Sequence, residues 1–459
     1  MAIDNKLQTL QSGVLDIRTA LKECDQSLAG GAINTLANDI RNYYDRNNVI
    51  VLYKEPSTTT DSETGEEVTT YTYKITKFEW NGTAAPVFYN TNLVNGKIVA
   101  CIFPSNINNI VQNNTFKDET DLEYVNLDSF TRITGANSFE NCTSLKTITF
   151  PPGFTYLQGS SFKGCSSLVS IYGFENISTI GNYCFQGCSK LSEIHVSSLE
   201  GFLNNNIRDW TQLPFAYSNA KLRGLYVNGQ LITNLEIPST FTSVGNYLFY
   251  KNNTIESVVF PNTVTSVGNQ TFQECTGLTS ITFSNVMTSI GNNAFYKCTN
   301  LNEELVVPAS VTSIGNNAFA YCTNLKNVFL LGVTTIEAYK RIFDQCSNIV
   351  KISLPVIQTI KNNSLFLIGS TKLSEIDLGP NVTTIGTNFI SGNNTRQLDR
   401  FICRAQTPPT FNKLYKNPKA VYVPYSADHS ILNAYKNATN WSSYATFMHE
   451  LNEDGSIPE

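Results

Sequence analysis

Seven cysteines recur at a single position of a repeated motif, and they are the most regularly spaced reactive side chains in the sequence. They are Cys142, Cys165, Cys188, Cys275, Cys298, Cys322 and Cys346. A stacked column of cysteines could pair as disulfides, but neighbouring members compete equally and the spacing specifies no pairing. Zinc sites commonly use a CxxC spacing, which is absent. The pattern favours a ladder of small buried thiols that pack as hydrophobic side chains.

The remaining residues that could carry chemistry are scattered along the chain. The three histidines are His195, His429 and His449, and no HExxH motif or Ser/His/Asp spacing accompanies them. No glycine-rich phosphate-binding loop follows a strand. The carboxylates show no recognisable pairing, although sequence alone leaves a glycosidase pair open. We therefore expect no catalytic, cofactor-binding or metal-binding residues, and a protein that is not an enzyme.

The cysteines belong to a repeat array that positions them. In Val286–Leu325 the letters Ile-Gly, Phe, Cys and Leu return after 24 residues, and the Phe position recurs every 23 or 24 residues with one jump of 64. That position is occupied by Phe139, Phe162, Phe185, Phe249, Phe272, Phe295, Phe319 and Phe343, and then by Leu365 and Ile390. A single repeat cannot bury its apolar edge, so the coils must stack. The predicted fold is mainly β with short helical turns, a solenoid of about ten repeats.

One face of this solenoid is the candidate ligand-binding surface. In each repeat the segment L-x-x-I-x-[FLV] alternates like a short strand, so the residue after the Ile should point away from the core. This column contains Thr149, Tyr172, His195, Val259, Thr282, Val306, Phe329, Ser353, Asp377 and Ile402, and its members from Tyr172 to Asp377 form the candidate face. Solenoids also expose single apolar residues routinely, so no one of these residues requires a ligand. The repeated Gly provides either a permissive backbone or a close approach between stacked coils.

The N-terminal residues follow a different period. Apolar side chains there keep an unbroken heptad spacing, at Ile3, Leu7, Leu10, Val14, Ile17, Leu21, Cys24 and Leu28. An amphipathic helix packed on its own protein would usually carry a wider apolar stripe. The strict spacing therefore favours a short parallel coiled coil that joins copies of the chain, and it does not decide between a dimer and a trimer.

Four regions follow from these patterns. They are a helical oligomerisation or anchor segment (1–46), a small β-rich adaptor (47–103), the solenoid (104–400, with an insertion at 197–234) and a C-terminal cap (401–459). The adaptor should contain strands near 49–53 and 70–76, joined by a polar hairpin tip at 57–67. Further strands are expected around 86–89 and 97–103.

The charge and hydropathy of the sequence argue against two kinds of binding partner, nucleic acid and the membrane interior. The net charge of −5 provides no basic face for nucleic acid. No stretch approaches the length of an apolar membrane span. The first residues lack the basic and then apolar segments of a secretory signal, so we expect a chain that is cytosolic when made.

The repeat unit I-G-x-x-A-F-x-x-C-x-x-L-x-x-I-x-[LF]-P resembles that of the BspA-like, or treponemal-type, leucine-rich repeat family. The resemblance covers about residues 104–445 and includes the insertion and the cap. Members of that family are typically surface or secreted adhesion-type binders of bacteria. The resemblance thus implies a binding module for a host-surface protein or glycan, without a cofactor.

The N-terminal regions favour a particular use of this module. A heptad helix, a small β domain and the missing signal together resemble the anchor of a bacteriophage fibre or appendage. The sequence-based hypothesis is therefore a homo-oligomeric virion protein, a head or tail fibre. Its N-terminus would bind other virion structural proteins, and its solenoid would attach to the host. The alternative is a bacterial cell-surface adhesin or interaction protein.

Overall fold

The computed structural model describes residues 48–458, apart from 61–66, 80–82, 87–96, 105, 206, 365, 389, 391–396, 413 and 415–416. The predicted heptad helix of residues 1–28, the rest of the anchor segment and most of the strand expected at 86–89 lie outside the described residues. The fold class is confirmed, since the described chain is mainly β and forms about 14 solenoid turns. It divides into two compact units, one ending at Leu231 and one beginning at Ile232.

The described residues of the first unit form thirteen strands and one short α-helix. The strands are β1 (Asn48–Thr60), β2 (Glu67–Glu79), β3 (Lys97–Ile102), β4 (Asn109–Ile110), β5 (Tyr124–Val125), β6 (Arg132–Ile133), β7 (Thr147–Thr149), β8 (Tyr156–Leu157), β9 (Ser170–Tyr172), β10 (Thr179–Ile180), β11 (Glu193–Val196), β12 (Gly224–Val227) and β13 (Gln230–Leu231). Helix α1 spans Leu199–Leu203, and 3-10 turns cover Phe174–Asn176, Trp210–Gln212 and Pro214–Tyr217.

The strands of the first unit form three sheets. Strands β1 and β2 make the expected antiparallel hairpin, which is longer than its sequence pattern indicates. Strand β3 pairs with β1 on one side and, in parallel, with β5 on the other, so the hairpin sheet continues into the first coil. Each later coil contributes a two-residue strand to the sheet β10-β8-β6-β4 and a longer strand to the sheet β13-β12-β11-β9-β7.

The part of the second unit that the structure describes repeats this arrangement over eighteen strands. They are β14 (Asn234–Glu236), β15 (Ser243–Val244), β16 (Ser257–Val259), β17 (Ser266–Val267), β18 (Ser280–Thr282), β19 (Ser289–Ile290), β20 (Glu304–Val307), β21 (Ser313–Ile314), β22 (Asn327–Leu330), β23 (Thr335–Ile336), β24 (Lys351–Leu354), β25 (Thr359–Ile360), β26 (Glu375–Leu378), β27 (Thr384–Ile385), β28 (Arg400–Cys403), β29 (Thr410–Phe411), β30 (Ala420–Val423) and β31 (Met448–Glu450). The longer strands form the sheets β14-β16-β18 and β20-β22-β24-β26-β28-β30-β31, and the two-residue strands form β15-β17-β19-β21 and β23-β25-β27-β29.

Columns of stacked phenylalanines fill the core of each unit. In the first unit Phe139 and Phe162 have ring centroids 5.0 Å apart and parallel planes. In the second, Phe295 lies 5.4 Å from Phe272 at an interplanar angle of 3°. Stacking the same large side chain in every coil removes its surface from water and fixes the coil register. This is the predicted role of the Phe position.

The structure corrects the sequence register at both ends of the array. Phe116 stacks on Phe139 at 5.1 Å and belongs to a coil that the motif missed, because Glu119 stands where later coils have cysteine. Leu365 lies outside the described residues, and the backbone shows that Leu367 takes the Phe position. The backbone N–H of Phe343 donates to the carbonyl of the residue just before Leu367. In the same way, the N–H of Phe319 donates to the carbonyl of the residue just before Phe343.

The cysteine ladder is buried and hydrogen-bonded. All ten described cysteines are buried free thiols, so the expected thiol ladder is confirmed. Each of the seven repeat cysteines also donates its S–H to the carbonyl of the Phe one coil earlier. Cys298 Sγ, for example, lies 3.2 Å from the carbonyl oxygen of Phe272, and Cys165 Sγ lies 3.1 Å from that of Phe139. The thiol therefore satisfies a buried backbone acceptor as well as filling space.

An asparagine ladder runs along the turns that follow the two-residue strands. Asn292 accepts a hydrogen bond on Oδ1 from the N–H of Asn316, 2.7 Å away, and donates its own N–H to Asn269 Oδ1 at 2.8 Å. The next residue in these turns has a left-handed backbone, with φ of 52° at Asn293 and 54° at Asn317. Asparagine tolerates that conformation better than most residues, which explains the Gly-Asn-Asn sequence.

The C-terminal cap extends the long sheet of the second unit and covers its end. Helix α2 (Ser430–Asn437) and a 3-10 turn at Ser442–Phe447 lie between β30 and β31. Trp441 is buried and donates its indole N–H to the carbonyl of Pro409 at 2.9 Å. Tyr435 is also buried and donates to the carbonyl of Ala405. These large side chains complete the core where the repeat motif ends.

Candidate functional site

The outward column is formed in each unit, strand by strand. In the first unit the register aligns Thr149 with Tyr172 and Tyr172 with His195. In the second unit Val259 aligns with Thr282, and a separate run aligns Val306, Phe329, Ser353 and Asp377. We call the surface that carries these residues the strand face of the unit concerned.

Three rings stack on the strand face of the first unit. The ring centroids of Tyr172 and His195 are 4.2 Å apart with an interplanar angle of 15°. On its other side His195 stacks on Tyr226, with ring centroids 4.4 Å apart and an interplanar angle of 16°. All three side chains are half-buried, so their outer edges reach solvent. In-register stacking holds the rings in one orientation, and a ligand would meet a surface that is already ordered.

Tyr226 is the member of this stack that sequence reasoning missed. It lies within the predicted insertion at 197–234, where the repeat letters are absent. Strand β12 nevertheless pairs in parallel with β11 and places Tyr226 beside His195. The alternation Leu225-Tyr226-Val227, with Leu225 buried, was the available signal for another strand of the same sheet.

A carboxylate lies beside the stack and organises its polar side. Glu193 Oε2 is 3.0 Å from His195 Nε2 and accepts a hydrogen bond of 2.7 Å from Ser170 Oγ. Burial, the charge of Glu193 and the nearby Tyr172 raise the pKa of the Tyr226 hydroxyl. The Tyr226 phenol therefore stays protonated at neutral pH.

Ser170, Glu193 and His195 contain the residue types of a hydrolase triad but not its connectivity. In a triad the histidine accepts the serine proton and the carboxylate orients the histidine. Here the hydroxyl of Ser170 and the imidazole of His195 both engage the same oxygen of Glu193. The serine proton is thus directed to the carboxylate, so the arrangement orders side chains and does not activate a nucleophile.

The strand face of the second unit is more apolar. Val306 is 45% exposed and Val259 is 38% exposed, and Phe329 is half-buried between Val306 and Ser353 in register. Thr282 is exposed beside Val259. Exposed or half-buried β-branched and aromatic residues at outward strand positions are the composition expected of a contact surface.

The C-terminal end of that face is closed. Ile402 was expected to point outward and aligns with Asp377, but it is only 1% exposed, so the expectation of an exposed side chain was wrong. Arg404, two residues later, binds both carboxylate oxygens of Asp377 at 2.8 and 3.0 Å and donates to the carbonyl of Gly455. The C-terminal segment therefore lies against this end of the face. The hydrogen bonds to Asp377 raise the pKa of the Arg404 guanidinium.

Within the described ranges, no group of three or more His, Cys, Asp or Glu side chains is placed to hold a metal ion. No helix in the described part of the chain has the length and apolar character needed to cross a membrane.

Comparison with known proteins gives a family match over most of the chain. The model for the BspA type leucine rich repeat region matches six copies, at residues 84–213, 224–304 and 302–406. No curated protein sequence matches the chain.

Among solved structures, similar chains include three bacterial leucine-rich repeat proteins. The one from Eubacterium ventriosum is 21% identical, with 74% of this chain and 88% of that chain covered and a TM-score of 0.42. One from Bacteroides ovatus is 20% identical, covering 87% and 98%, with a TM-score of 0.38. A leucine rich cell surface protein from Faecalibacterium prausnitzii is 21% identical, covering 71% and 94%, with a TM-score of 0.35.

Proposed function

The chain belongs to the family of BspA-type leucine-rich repeat proteins, and from that premise we propose that it is a non-enzymatic binding protein of the bacterial cell surface. It attaches to a protein or glycan of a host surface through the strand faces of its two units. Its repeats build the scaffold, and the outward residues of the longer strands choose the ligand.

The stacked rings of Tyr172, His195 and Tyr226 are the observation that carries this proposal. Packing in the core explains the buried residues of the repeat motif. The core does not require three aromatic rings in one outward column. Aromatic side chains held rigidly at a surface are enriched where proteins bind ligands. The exposed Val259 and Val306 extend the same argument to the second unit.

A cell-binding measurement tests this function. Fluorescently labelled full-length protein is incubated with cultured epithelial cells, and bound label is measured by flow cytometry over a concentration series. Saturable binding that unlabelled protein displaces is expected, together with immunogold labelling of intact bacteria that make the protein. Binding that never saturates, or labelling confined to the cell interior, would contradict the proposal.

The heptad spacing of residues 1–28 favours a second candidate, a bacteriophage fibre. In that function the N-terminal segment joins two or three copies and binds other virion structural proteins, while the strand faces contact the host. Light scattering of the full chain and of a chain lacking residues 1–28 tests it. A dimer or trimer that becomes a monomer on deletion supports the fibre, as does immunogold labelling of phage particles. A full chain that is monomeric at micromolar concentration removes its basis.

A further inference from the structure

We propose that the aromatic stack of the first unit binds a neutral saccharide, with a sugar ring packed on the free face of Tyr172. The inference rests on the proposed binding function and names the ligand class for one of its surfaces. Four side chains form the site, which we call the saccharide shelf: Tyr172, His195, Glu193 and Ser170.

The shape of the shelf follows from the register of the column. One face of Tyr172 is covered by the imidazole of His195, 4.2 Å away. On the other side its in-register neighbour is Thr149, and a threonine side chain is too short to cover a phenol ring. Among the described residues, no aromatic ring other than His195 contacts Tyr172. A pyranose above Thr149 would continue the stack at the strand spacing of about 4.8 Å.

The stack also reduces the side-chain conformational entropy that is lost on binding. A free tyrosine would lose side-chain freedom on meeting a sugar, whereas Tyr172 is already held by His195, and His195 by Tyr226 on its other side. Glu193 and Ser170 hold each other through a 2.7 Å hydrogen bond. Preorganised groups convert more of their contact energy into affinity.

The polar groups suit sugar hydroxyls. A pyranose offers apolar C–H groups on its face and hydroxyl donors at its rim. An aromatic face next to a carboxylate matches both, since ligand sites combine apolar lining with a few placed polar groups. Glu193 is 34% exposed, and only its Oε2 atom is engaged by Ser170 and His195, so Oε1 is available to accept from a hydroxyl.

Charge selects a neutral sugar over an acidic one. The carboxylate of Glu193 is held by Ser170 and His195, and the nearby Tyr226 phenol stays protonated because its pKa is raised. A sialic or uronic acid placed on Tyr172 would bring a second carboxylate to the strand face that already carries Glu193, and like charges repel.

A glycan array followed by calorimetry tests the proposal. The full-length protein is applied to an array of neutral and acidic glycans, and the best-bound neutral oligosaccharide is titrated by isothermal calorimetry. Tyr172→Ala should weaken binding at least about tenfold, and Glu193→Gln should weaken it by a similar factor. Tyr172→Phe, which keeps the ring, should stay within about threefold of the unaltered chain. Tyr183→Asn is the matched control, because Tyr183 is exposed in the same unit but lies in a turn.

The outcomes separate this inference from the proposed function. Circular dichroism shows whether Tyr172→Ala is folded. If it is not, Tyr172→Phe and Glu193→Gln test the shelf in its place. Unchanged affinity of Glu193→Gln for the oligosaccharide overturns the shelf. Binding only to acidic glycans, or to no glycan at all, also overturns it. In either case saturable binding to cells leaves the proposed function standing, with an acidic glycan as the ligand in the first case and a protein in the second. Glycan binding without cell binding upholds the shelf and contradicts the function.

Discussion

A β-carbon added to Gly291 would lie 2.5 Å from the carbonyl carbon of Gly268 in the preceding coil. The same relationship recurs one coil later, where a β-carbon on Gly315 would lie 2.4 Å from the backbone nitrogen of Asn292. None of these three glycines has a left-handed backbone. The glycine is therefore required by close approach between coils and not by its own conformational freedom.

Gly291→Ala should lower the free energy of unfolding by about 2–3 kcal/mol, because the backbone atoms of the preceding coil must move to admit the methyl group. Gly245→Ala is the matched control in the same motif position. A β-carbon there meets only Leu248 Cδ1, at 3.4 Å, and should change stability by less than about 0.5 kcal/mol. Urea denaturation of both variants measures the difference, and equal losses would contradict the account of coil spacing.

The buried thiols should resist reagents until the protein unfolds. Burial raises the pKa of Cys165 to about 12, so very little reactive thiolate forms at neutral pH. In a Cys24→Ala background, which removes the cysteine outside the described residues, native protein should leave Ellman's reagent unreacted. Unfolding in guanidinium should then release the ten buried thiols. Rapid reaction of any thiol in native protein would show that the reagent reaches the cysteines, and it would contradict their burial.

An ion-pair cluster in the first unit predicts a pH dependence. Burial tends to raise the pKa of Glu140, but Lys117 and Lys163, at 2.8 and 3.0 Å, outweigh burial and hold it below its ordinary value of 4.5. A carboxyl with a lowered folded pKa stabilises the protein above its unfolded pKa, and this contribution disappears as pH falls through the folded value. Glu140→Gln should therefore lose stability at neutral pH and approach the unaltered chain below pH 4.5. A stability difference that is constant from pH 7 to pH 3 would refute this.

A surface substitution should stabilise the second unit. Tyr339 is 63% exposed and has a left-handed backbone with φ of 59°. It follows the strand residue Ile336 by three positions, as Asn293 follows Ile290. Tyr339→Asn should raise the free energy of unfolding by about 0.5–1 kcal/mol, because asparagine tolerates this conformation. Tyr339→Ala should bring no gain, and thermal denaturation that ranks alanine above asparagine would contradict the explanation.

The repeat core can be predicted from the sequence because each motif position has the same physical role in every coil. Phe295 stacks on Phe272 and Cys298 is buried behind it, as the motif requires. The prediction missed Phe116 because the neighbouring Glu119 hides the motif. The hydrogen bond from Cys298 to the Phe272 carbonyl joins different coils, so only the stacked backbone reveals it.

The candidate site was predicted only in part, for a similar reason. Alternation identified Tyr172 and His195 as outward residues, and their register is local to neighbouring coils. Tyr226 enters the stack through a strand inside the insertion, where the period is broken. Ile402 keeps the period but is covered, because Arg404 ties Asp377 to the C-terminal segment, and that contact spans more than the length of a repeat.

If the strand faces hold the ligand, substitutions on them should weaken binding to cells while substitutions in the turns should not. Binding curves are recorded by flow cytometry for full-length protein carrying Tyr172→Ala together with Val306→Lys, and for protein carrying Tyr183→Asn together with Tyr339→Lys. These pairs change exposed or half-buried side chains in both units, the first on the strand faces and the second in turns. The half-saturating concentration should rise at least about tenfold for the strand-face pair and stay unchanged for the turn pair. Unaltered binding by the strand-face pair, with loss in the turn pair, would contradict it.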